Sequence, residues 1–305
     1  RPFQTIPLAE NVLNFLVATR FVPIFSFMFG MSMGFVIDSA IRRGAPAWKI
    51  LLRRLAALLV IGLLHSILYP GEILRDYAVA GAILLPFVLK VPRSVRLVLG
   101  LLATVGAYAF TGGGALSLPG LFLLGSAAQA YGLPARLEHA DRRIGAATLV
   151  FAAASAAAIP WQAAEGGDPR FFTAGGVAGG LMACLYVCLL ALLWRTPVRR
   201  ALSAVFEPLG RMALTCYVTA SFVMVPAGVL LDSRSTQDVI PGLIVAAAVL
   251  PLQWVFCRLW LSRFAYGPLE WAWRCVTWWR WVPLQRQQSK RLDPVSYVPT
   301  TAGIA

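Results

Sequence analysis

Long apolar runs separated by short polar connections dominate the chain between residues 22 and 261. A helix that crosses a hydrocarbon core of about 30 Å needs roughly 20 predominantly apolar residues, and many of the runs approach this length. The run 242–252 is apolar on every side, without the apolar-polar alternation of a spanning strand. The pattern therefore predicts an all-α fold, a polytopic transmembrane helix bundle.

We predict about nine spans in this chain. They cover 22–41, 51–69, 73–90, 94–111, 118–133, 144–161, 172–194, 212–231 and 239–261. The segment 118–133 contains Pro119, Gly120 and Gly125 and is at the short end of the spanning range. This segment therefore either crosses fully or is re-entrant.

Composition and charge support a membrane protein. Hydrophobic residues make up 59% of the chain and charged residues 13%, whereas soluble domains have about 45–50% and about 25%. The net charge is +14, but the basic residues recur in every second connection, as the positive-inside rule predicts for cytoplasmic loops. The expected partner is therefore the lipid bilayer and not nucleic acid.

Orientation follows from the same rule. The basic loops hold Arg42, Arg43, Lys49, Arg53 and Arg54, then Lys90, Arg93 and Arg96, then Arg136, Arg142 and Arg143, then Arg195, Arg199, Arg200 and Arg211. This arrangement predicts a cytoplasmic C-terminus and an external start. Because the chain begins at Arg1 without an initiator Met, we expect an upstream crossing segment and about ten spans in the intact protein.

The chain is thus predicted to have four parts. Residues 1–21 form an external or interfacial segment, and 22–264 form the transmembrane helical domain. Residues 265–284 are rich in Trp, which predicts an interfacial helix, and 285–305 form a disordered cytoplasmic tail. The five cysteines have no metal-type spacing, so we expect small packing residues and no bound metal or cofactor.

His65 lies near the outer end of the second predicted span. A membrane-embedded imidazole facing water could act as a general base or belong to a proton path. A histidine hydrogen-bonded to a neighbouring helix is the alternative. His139, in a basic loop, is interpreted as a solvated surface residue.

Four polar residues crowd the start of the third predicted span: Glu72, Arg75, Asp76 and Tyr77. On a helix Glu72 and Asp76 would share a face, with Arg75 within reach of Glu72. With His65, the two carboxylates are candidate catalytic residues, and Arg75 and Tyr77 are candidate substrate-binding residues. Helix capping is the alternative, because acidic residues favour a first helical turn.

Arg20 is a further candidate substrate-binding residue. It precedes Pro23 in a largely apolar segment, and a charged side chain at bilayer depth costs at least about 2.5–3.5 kcal/mol. Arg20 should therefore either snorkel to the interface or face the interior of the bundle.

Five collinear segments of the chain resemble the YeiB-like family, domain of unknown function 418. They are 20–30 (RFVPIFSFMFG), 53–65 (RRLAALLVIGLLH), 71–78 (GEILRDYA), 208–221 (PLGRMALTCYVTAS) and 267–278 (GPLEWAWRCVTW). The resemblance implies a multi-pass bacterial inner-membrane protein of undefined activity. It also implies a distant relation to transmembrane acyltransferases that use an acyl-coenzyme A donor.

The chain departs from the family pattern in several places. Glu72 stands where the family usually has Asp, Cys216 where Asn is usual, and Ala220 where Gln is common. The opening span of the family, with its Asp, Arg and Gly signature, is missing from the chain.

Two functions follow as hypotheses. In the first, an acyl group passes from cytoplasmic acyl-coenzyme A to a hydroxyl or amine of an envelope-side acceptor, with His65 as the base and Arg53 and Arg54 attracting the donor phosphates. The positive-inside rule alone also predicts those two arginines.

The alternative is a transporter or exporter of a small polar or lipid-linked solute, in which the same intramembrane charges line a gated path. Helix breaks at Pro23, Pro86, Pro226 or Pro251 would then mark the site. A third hypothesis is an accessory membrane protein without turnover, in which the polar clusters serve capping and packing.

Overall fold

The computed structural model describes residues 8–139, 141–231 and 239–285. In these ranges the chain folds into helices without any β-strand, and an isolated bridge pairs Phe264 with Gln285. The predicted all-α class is thereby confirmed for this part of the chain. Most of the predicted tail, residues 286–305, and the first seven residues of the predicted external segment lie outside the described residues.

The helices follow one another with short connections. They are α1 (Leu8–Leu16), α2 (Phe21–Arg42), α3 (Ala47–Ser66), α4 (Leu74–Lys90), α5 (Arg93–Thr111), α6 (Leu118–Ala130), α7 (Leu133–His139), α8 (Arg142–Glu165), α9 (Thr173–Leu193), α10 (Arg199–Arg211), α11 (Ala213–Leu230), α12 (Ile240–Arg263) and α13 (Pro268–Trp278). A 3₁₀ turn at Gly114–Ser117 precedes α6.

Six helical segments of the described chain are long and apolar enough to cross a membrane, or seven if α6 and α7 together form one span. The predicted count of about nine is therefore not confirmed. Helix α3 carries three basic residues, and α4 has only 17 residues. In addition, α1 and α2 together form one candidate of 35 residues, so apolar helix extends into the predicted external segment.

The predicted segment 118–133 is a bent pair of helices, with 71° between α6 and α7. This geometry fits either a broken span or a re-entrant loop. The break lies at Tyr131 and Gly132, where the glycine adopts φ +73°, and not at Pro119. Pro119 is in the first turn of α6, where its missing N–H leaves no hydrogen bond unmade.

The main core lies between α2, α3, α4 and α6. Phe122 of α6 is fully buried; its ring stacks on Phe29 at 4.9 Å between centroids and meets Tyr77 edge-on at 5.4 Å. Leu51 and Leu58 of α3 complete this cluster. Because an aromatic pair adds about 0.5–1.5 kcal/mol beyond its buried area, these rings fix how α2, α4 and α6 pack.

Glycines allow α2 and α6 to approach closely. A Cβ at Gly30 would collide with the backbone of Phe122, and a Cβ at Gly125 would collide with the carbonyl of Phe27. The side chain of Gln129 occupies the space at Gly34 and donates to Asp38 Oδ2 at 2.7 Å. Small residues at a helix crossing bring the backbones together, as in other membrane bundles.

Helices α8 and α9 pack as a pair and are joined by the loop 166–172. In this loop Arg170 donates through Nε to both carboxylate oxygens of Asp168, and its Nη2 lies 2.6 Å from Oδ2. These hydrogen bonds lower the pKa of Asp168 below its usual value. The stabilisation they give the loop is therefore present at neutral pH and is lost as the pH falls through the lowered pKa.

The Trp-rich segment forms α13, which packs against α3. Trp273 donates to the carbonyl of Arg54 at 2.8 Å, and the Arg54 guanidinium lies over its ring at 3.8 Å. A helix therefore forms in this segment, while its interfacial depth stays a prediction. In the first turn of α13, Glu270 accepts hydrogen bonds from the backbone N–H and the hydroxyl of Thr215 at the start of α11.

Helix α10 occupies a segment that we interpreted as a basic loop. Its apolar residues Leu202, Val205, Phe206 and Leu209 follow helical spacing, opposite Arg200, Ser203 and Glu207. The loop interpretation was wrong because it was based on the many charged residues and overlooked the helical spacing of the four apolar ones.

The outer faces of the helices are apolar. Phe110, Leu149, Leu230 and Leu252 are each more than two-thirds exposed. Apolar exposure on this scale is unfavourable in water and favourable in hydrocarbon, which supports a membrane protein.

The close crossing of α2 and α6 yields a test. We expect Gly125→Ala to lower the free energy of unfolding by roughly 1–3 kcal/mol, because the added methyl group overpacks the crossing. Gly145→Ala is the matched control, since a Cβ added at this glycine of α8 would meet no atom within 4 Å beyond the adjacent backbone of its own helix. The control should be neutral or stabilising by up to about 1 kcal/mol. Denaturant unfolding in detergent measures both, and equal effects would show that the crossing tolerates a Cβ.

Candidate functional site

A buried histidine-carboxylate pair lies between the end of α3 and the start of α4. His65 is in the last turn of α3, and its Nδ1 contacts Glu72 Oε2. The two residues are only 5% and 3% exposed. Glu72 Oε1 accepts the backbone N–H of Leu74, the first residue of α4, at 2.5 Å. Glu72 thus stabilises the helix start and holds the imidazole.

Tyr217 of α11 is the third member of this site. Its hydroxyl donates to Glu72 Oε1 at 3.4 Å, and its ring meets the His65 ring edge-on at 5.2 Å between centroids. The sequence contained no local signal for this contact. Tyr217 lies in one of the segments that resemble the family, but its partners are about 145 residues away along the chain.

The two nitrogens of His65 have different environments. Nδ1 is held by Glu72, whereas Nε2 is buried and has no hydrogen-bond partner among the described residues. A carboxylate at one nitrogen fixes the tautomer and orientation of the ring, and stabilises the imidazolium. The free nitrogen can then accept a proton from a substrate group within hydrogen-bond reach.

The other predicted members of the cluster lie apart from this pair. Arg75 donates to Asp76 at 3.2 Å, and both side chains are more than 40% exposed. The prediction that Glu72 and Asp76 share a helix face was wrong, because α4 begins only at Leu74. For the same reason Arg75 pairs with Asp76 and not with Glu72.

Tyr77 points into the core between α2, α4 and α6. Its hydroxyl lies 2.8 Å from the Ser26 hydroxyl and donates to the Val22 carbonyl at 3.4 Å. Tyr77 therefore joins α4 to α2, and the structure does not bring its hydroxyl to the histidine-carboxylate pair.

Arg20 is fully buried at the start of α2. Its Nη2 donates to Gln162 Oε1 of α8 at 2.6 Å, and its Nη1 donates to the Ala18 carbonyl and the Thr19 hydroxyl. The guanidinium therefore faces the bundle interior and does not snorkel. Thr19 adopts φ +66°, a conformation that β-branched residues rarely accept, so the backbone here is strained.

Arg53 and Arg54, the candidate donor-binding residues, lie in the first half of α3. Their guanidinium groups cover Trp279 at 5.1 Å and Trp273 at 3.8 Å. Both arginines thus contribute to the contact between α3 and α13, and a role in donor binding stays a prediction.

Two further features concern ligands. Among the described residues no group of three or more His, Cys, Asp and Glu side chains could hold a metal ion. A cavity of about 710 Å³ lies between α10 and α12 and is lined by four arginines. It does not include the histidine-carboxylate pair.

Comparison with known proteins places the chain among uncharacterised relatives. Residues 130–280 match the family described as "Protein of unknown function (DUF418)". An uncharacterised 39.9 kDa protein from the amylase 3' region of Bacillus acidopullulyticus is 29% identical over 294 residues, which cover 90% of this chain and 84% of the relative. The uncharacterised protein YxaH of Bacillus subtilis is 28% identical over 92% of this chain and 84% of its own length. No solved structure matches the chain.

These matches confirm the family resemblance. Two of the five resembling segments, 208–221 and 267–278, lie within the matched region. His65 and Glu72 lie outside that region but within a chain of which about nine-tenths aligns with each relative. Both relatives are uncharacterised proteins and suggest no activity for this chain.

The buried position of Arg20 yields a prediction. Gln162→Leu should lower the free energy of unfolding by roughly 1.5–3 kcal/mol, because it removes a hydrogen bond to a buried charged group. Gln162→Glu keeps an acceptor opposite the guanidinium and should retain most of the wild-type stability. Denaturant unfolding in detergent distinguishes the two variants. Wild-type stability of Gln162→Leu would mean that Arg20 finds another partner or water.

Proposed function

We propose a reaction from the buried polar site of this chain, whose residues 130–280 match the DUF418 family of proteins of unknown function: transfer of an acyl group to a hydroxyl or amine acceptor. The observation that carries the proposal is the His65 imidazole, with Nδ1 held by Glu72 and Nε2 unpartnered. A base oriented by a carboxylate is the arrangement that activates weak nucleophiles for acyl transfer.

The proposed chemistry uses His65 as a general base. Nε2 takes the proton from the acceptor hydroxyl or amine as its oxygen or nitrogen attacks the carbonyl carbon of an acyl thioester. The carbon-sulfur bond then breaks, and the leaving thiolate takes the proton from the imidazolium. Glu72 stabilises the positive ring between these two steps. The products are an ester or amide and the free thiol.

Tyr217 is proposed as a positioning residue. Its hydroxyl donates to the same carboxylate that holds His65, and its ring packs edge-on against the imidazole. Packing on one side and a hydrogen bond on the other restrict the rotamers of both catalytic side chains, which lowers the entropy cost of reaching a productive geometry.

The donor is proposed to be acyl-coenzyme A, which the resemblance to transmembrane acyltransferases suggests. In this proposal the protein lies in the bacterial inner membrane with its C-terminus in the cytoplasm. The positive-inside pattern supports that orientation, which puts Arg53 and Arg54 on the donor side and His65 nearer the acceptor side. The donor is a substrate here and not a bound cofactor.

Transport is the second candidate, and two observations favour it. Arg20 is a fully buried charge, which in a membrane bundle commonly marks a solute or ion path. The bent pair α6 and α7 resembles the discontinuous helices that form transporter sites. Transport requires no thioester cleavage, so turnover of a donor separates the two proposals.

The acyl-transfer proposal is tested with labelled acetyl-coenzyme A and the purified full-length protein in detergent. We expect donor binding and, with water as the acceptor, hydrolysis of the thioester to acetate and free thiol. His65→Ala should slow this hydrolysis about 10²- to 10⁴-fold because general base catalysis is lost. Glu72→Gln should also slow release, since the amide cannot stabilise the imidazolium.

The matched control is His139→Ala, which removes the other histidine of the chain from an exposed position in α7. Its rate should equal that of the wild type. Absence of donor binding by the folded protein at millimolar acetyl-coenzyme A would contradict acyl transfer and leave transport as the leading proposal. Equal rates for the wild type and His65→Ala would remove His65 from the mechanism.

A further inference from the structure

Arginines from two separate helices converge on one cavity. Arg199, Arg200 and Arg211 belong to α10, and Arg258 belongs to α12. The cavity is an open groove and not an enclosed chamber, and its volume of about 710 Å³ lies in the range of small-molecule sites, about 300–1,000 Å³. Pro208 and Leu261 contribute apolar surface to the wall of the cavity. The positive-inside rule explains why arginines occur near helix ends, but it does not require them to line one concavity.

The positive charge of this cavity is only partly compensated by the described residues, since four arginines face one carboxylate. Glu207 is the only acidic residue among the lining side chains, and it accepts a hydrogen bond from Ser203 at 2.9 Å. None of the four arginines forms an ion pair with a carboxylate in residues 8–139, 141–231 and 239–285. Their mutual repulsion would be relieved by an anion bound between them.

Three of the arginines are held in ways that leave donors for a ligand. Arg199 lies over the Trp194 ring at 5.3 Å and Arg258 over the Trp254 ring at 5.0 Å, so stacking orients each guanidinium without using its N–H groups. Arg211 donates one hydrogen bond, from Nη2 to the Ala265 carbonyl, and its other N–H groups remain available for a ligand. Trp254 in turn donates to the Ala204 carbonyl, which fixes α12 against α10.

We propose that this cavity is a binding site for a phosphate-bearing ligand. Planar guanidinium groups bind phosphate oxygens in a bidentate manner, and several of them around one cavity suit a ligand with one or more phosphates. An anionic phospholipid headgroup and a soluble phosphorylated compound share this chemistry. The site is separate from His65, and the proposal does not depend on acyl transfer.

The experiment uses two probes with the full-length protein in detergent. Calorimetric titration with coenzyme A tests a soluble source of phosphate. Native mass spectrometry from mixed micelles of phosphatidylglycerol and phosphatidylcholine tests a lipid source. We expect at least one probe to bind the wild type, with the anionic lipid preferred over phosphatidylcholine in the second case. The affinity should fall as ionic strength rises.

The variant that tests the site is Arg200→Gln with Arg258→Gln, which should weaken the bound probe at least tenfold. Arg142→Gln with Arg143→Gln is the matched control. That pair lies at the start of α8, where Asp141 caps the helix through the N–H groups of Arg143 and Ile144, and neither arginine lines the cavity. The control should bind the probe like the wild type. All four side chains are exposed, and thermal unfolding verifies that each variant is folded.

Each outcome decides the proposal. If coenzyme A binds the wild type and the cavity variant weakens that binding, the ligand is a soluble phosphate compound. If phosphatidylglycerol is retained by the wild type and lost from the cavity variant, the ligand is a lipid. Absence of both at millimolar probe would overturn the site. Equal weakening by the cavity and control variants would also overturn it, because the effect would then be general surface charge. Because only binding is measured, failure of acyl transfer leaves this test unaffected.

Discussion

The close crossing of α2 and α6 is the constraint on which the rest of the described fold depends. Helix α6 also contacts α4 and α5, so the positions of all four helices follow from the distance that Gly30 and Gly125 permit. Helices in lipid gain little from the hydrophobic effect between them and depend on close packing. Loss of that contact would separate the aromatic cluster around Phe122 and release Tyr77. Tyr77 anchors the first turns of α4, which lie next to the histidine-carboxylate pair.

Polar groups inside the bundle are joined across helices that are distant in sequence. Arg20 meets Gln162, Tyr77 meets Ser26, and Gln129 meets Asp38. Each of these contacts replaces water that a hydrocarbon environment cannot supply, and an unpaired partner would cost several kcal/mol. Such contacts also select one packing arrangement among apolar helices that would otherwise slide past one another.

The sequence predicted the helical class and the positions of the apolar helices because both depend on local composition. It also identified His65 and Glu72, which are seven residues apart and lie on either side of one short turn. It missed Tyr217 and Gln162 because their partners lie on helices that are remote in sequence. The spacing of apolar and polar residues along one helix gives no information about contacts with such helices. The sequence reasoning placed Glu72 on the third helix, whereas α4 begins only at Leu74, and that small difference was enough to separate Asp76 and Arg75 from the predicted cluster.

The hydrogen bonds from Thr215 to Glu270 bear on how the protein is made. They join the start of α11, which carries Tyr217, to α13, the last helix of the described chain. A growing chain therefore holds His65 and Glu72 long before the element that fixes Tyr217 has emerged from the ribosome. If His65 and Glu72 pair as soon as α3 and α4 are inserted, the pair lacks the Tyr217 ring until insertion of the C-terminal helices completes the site.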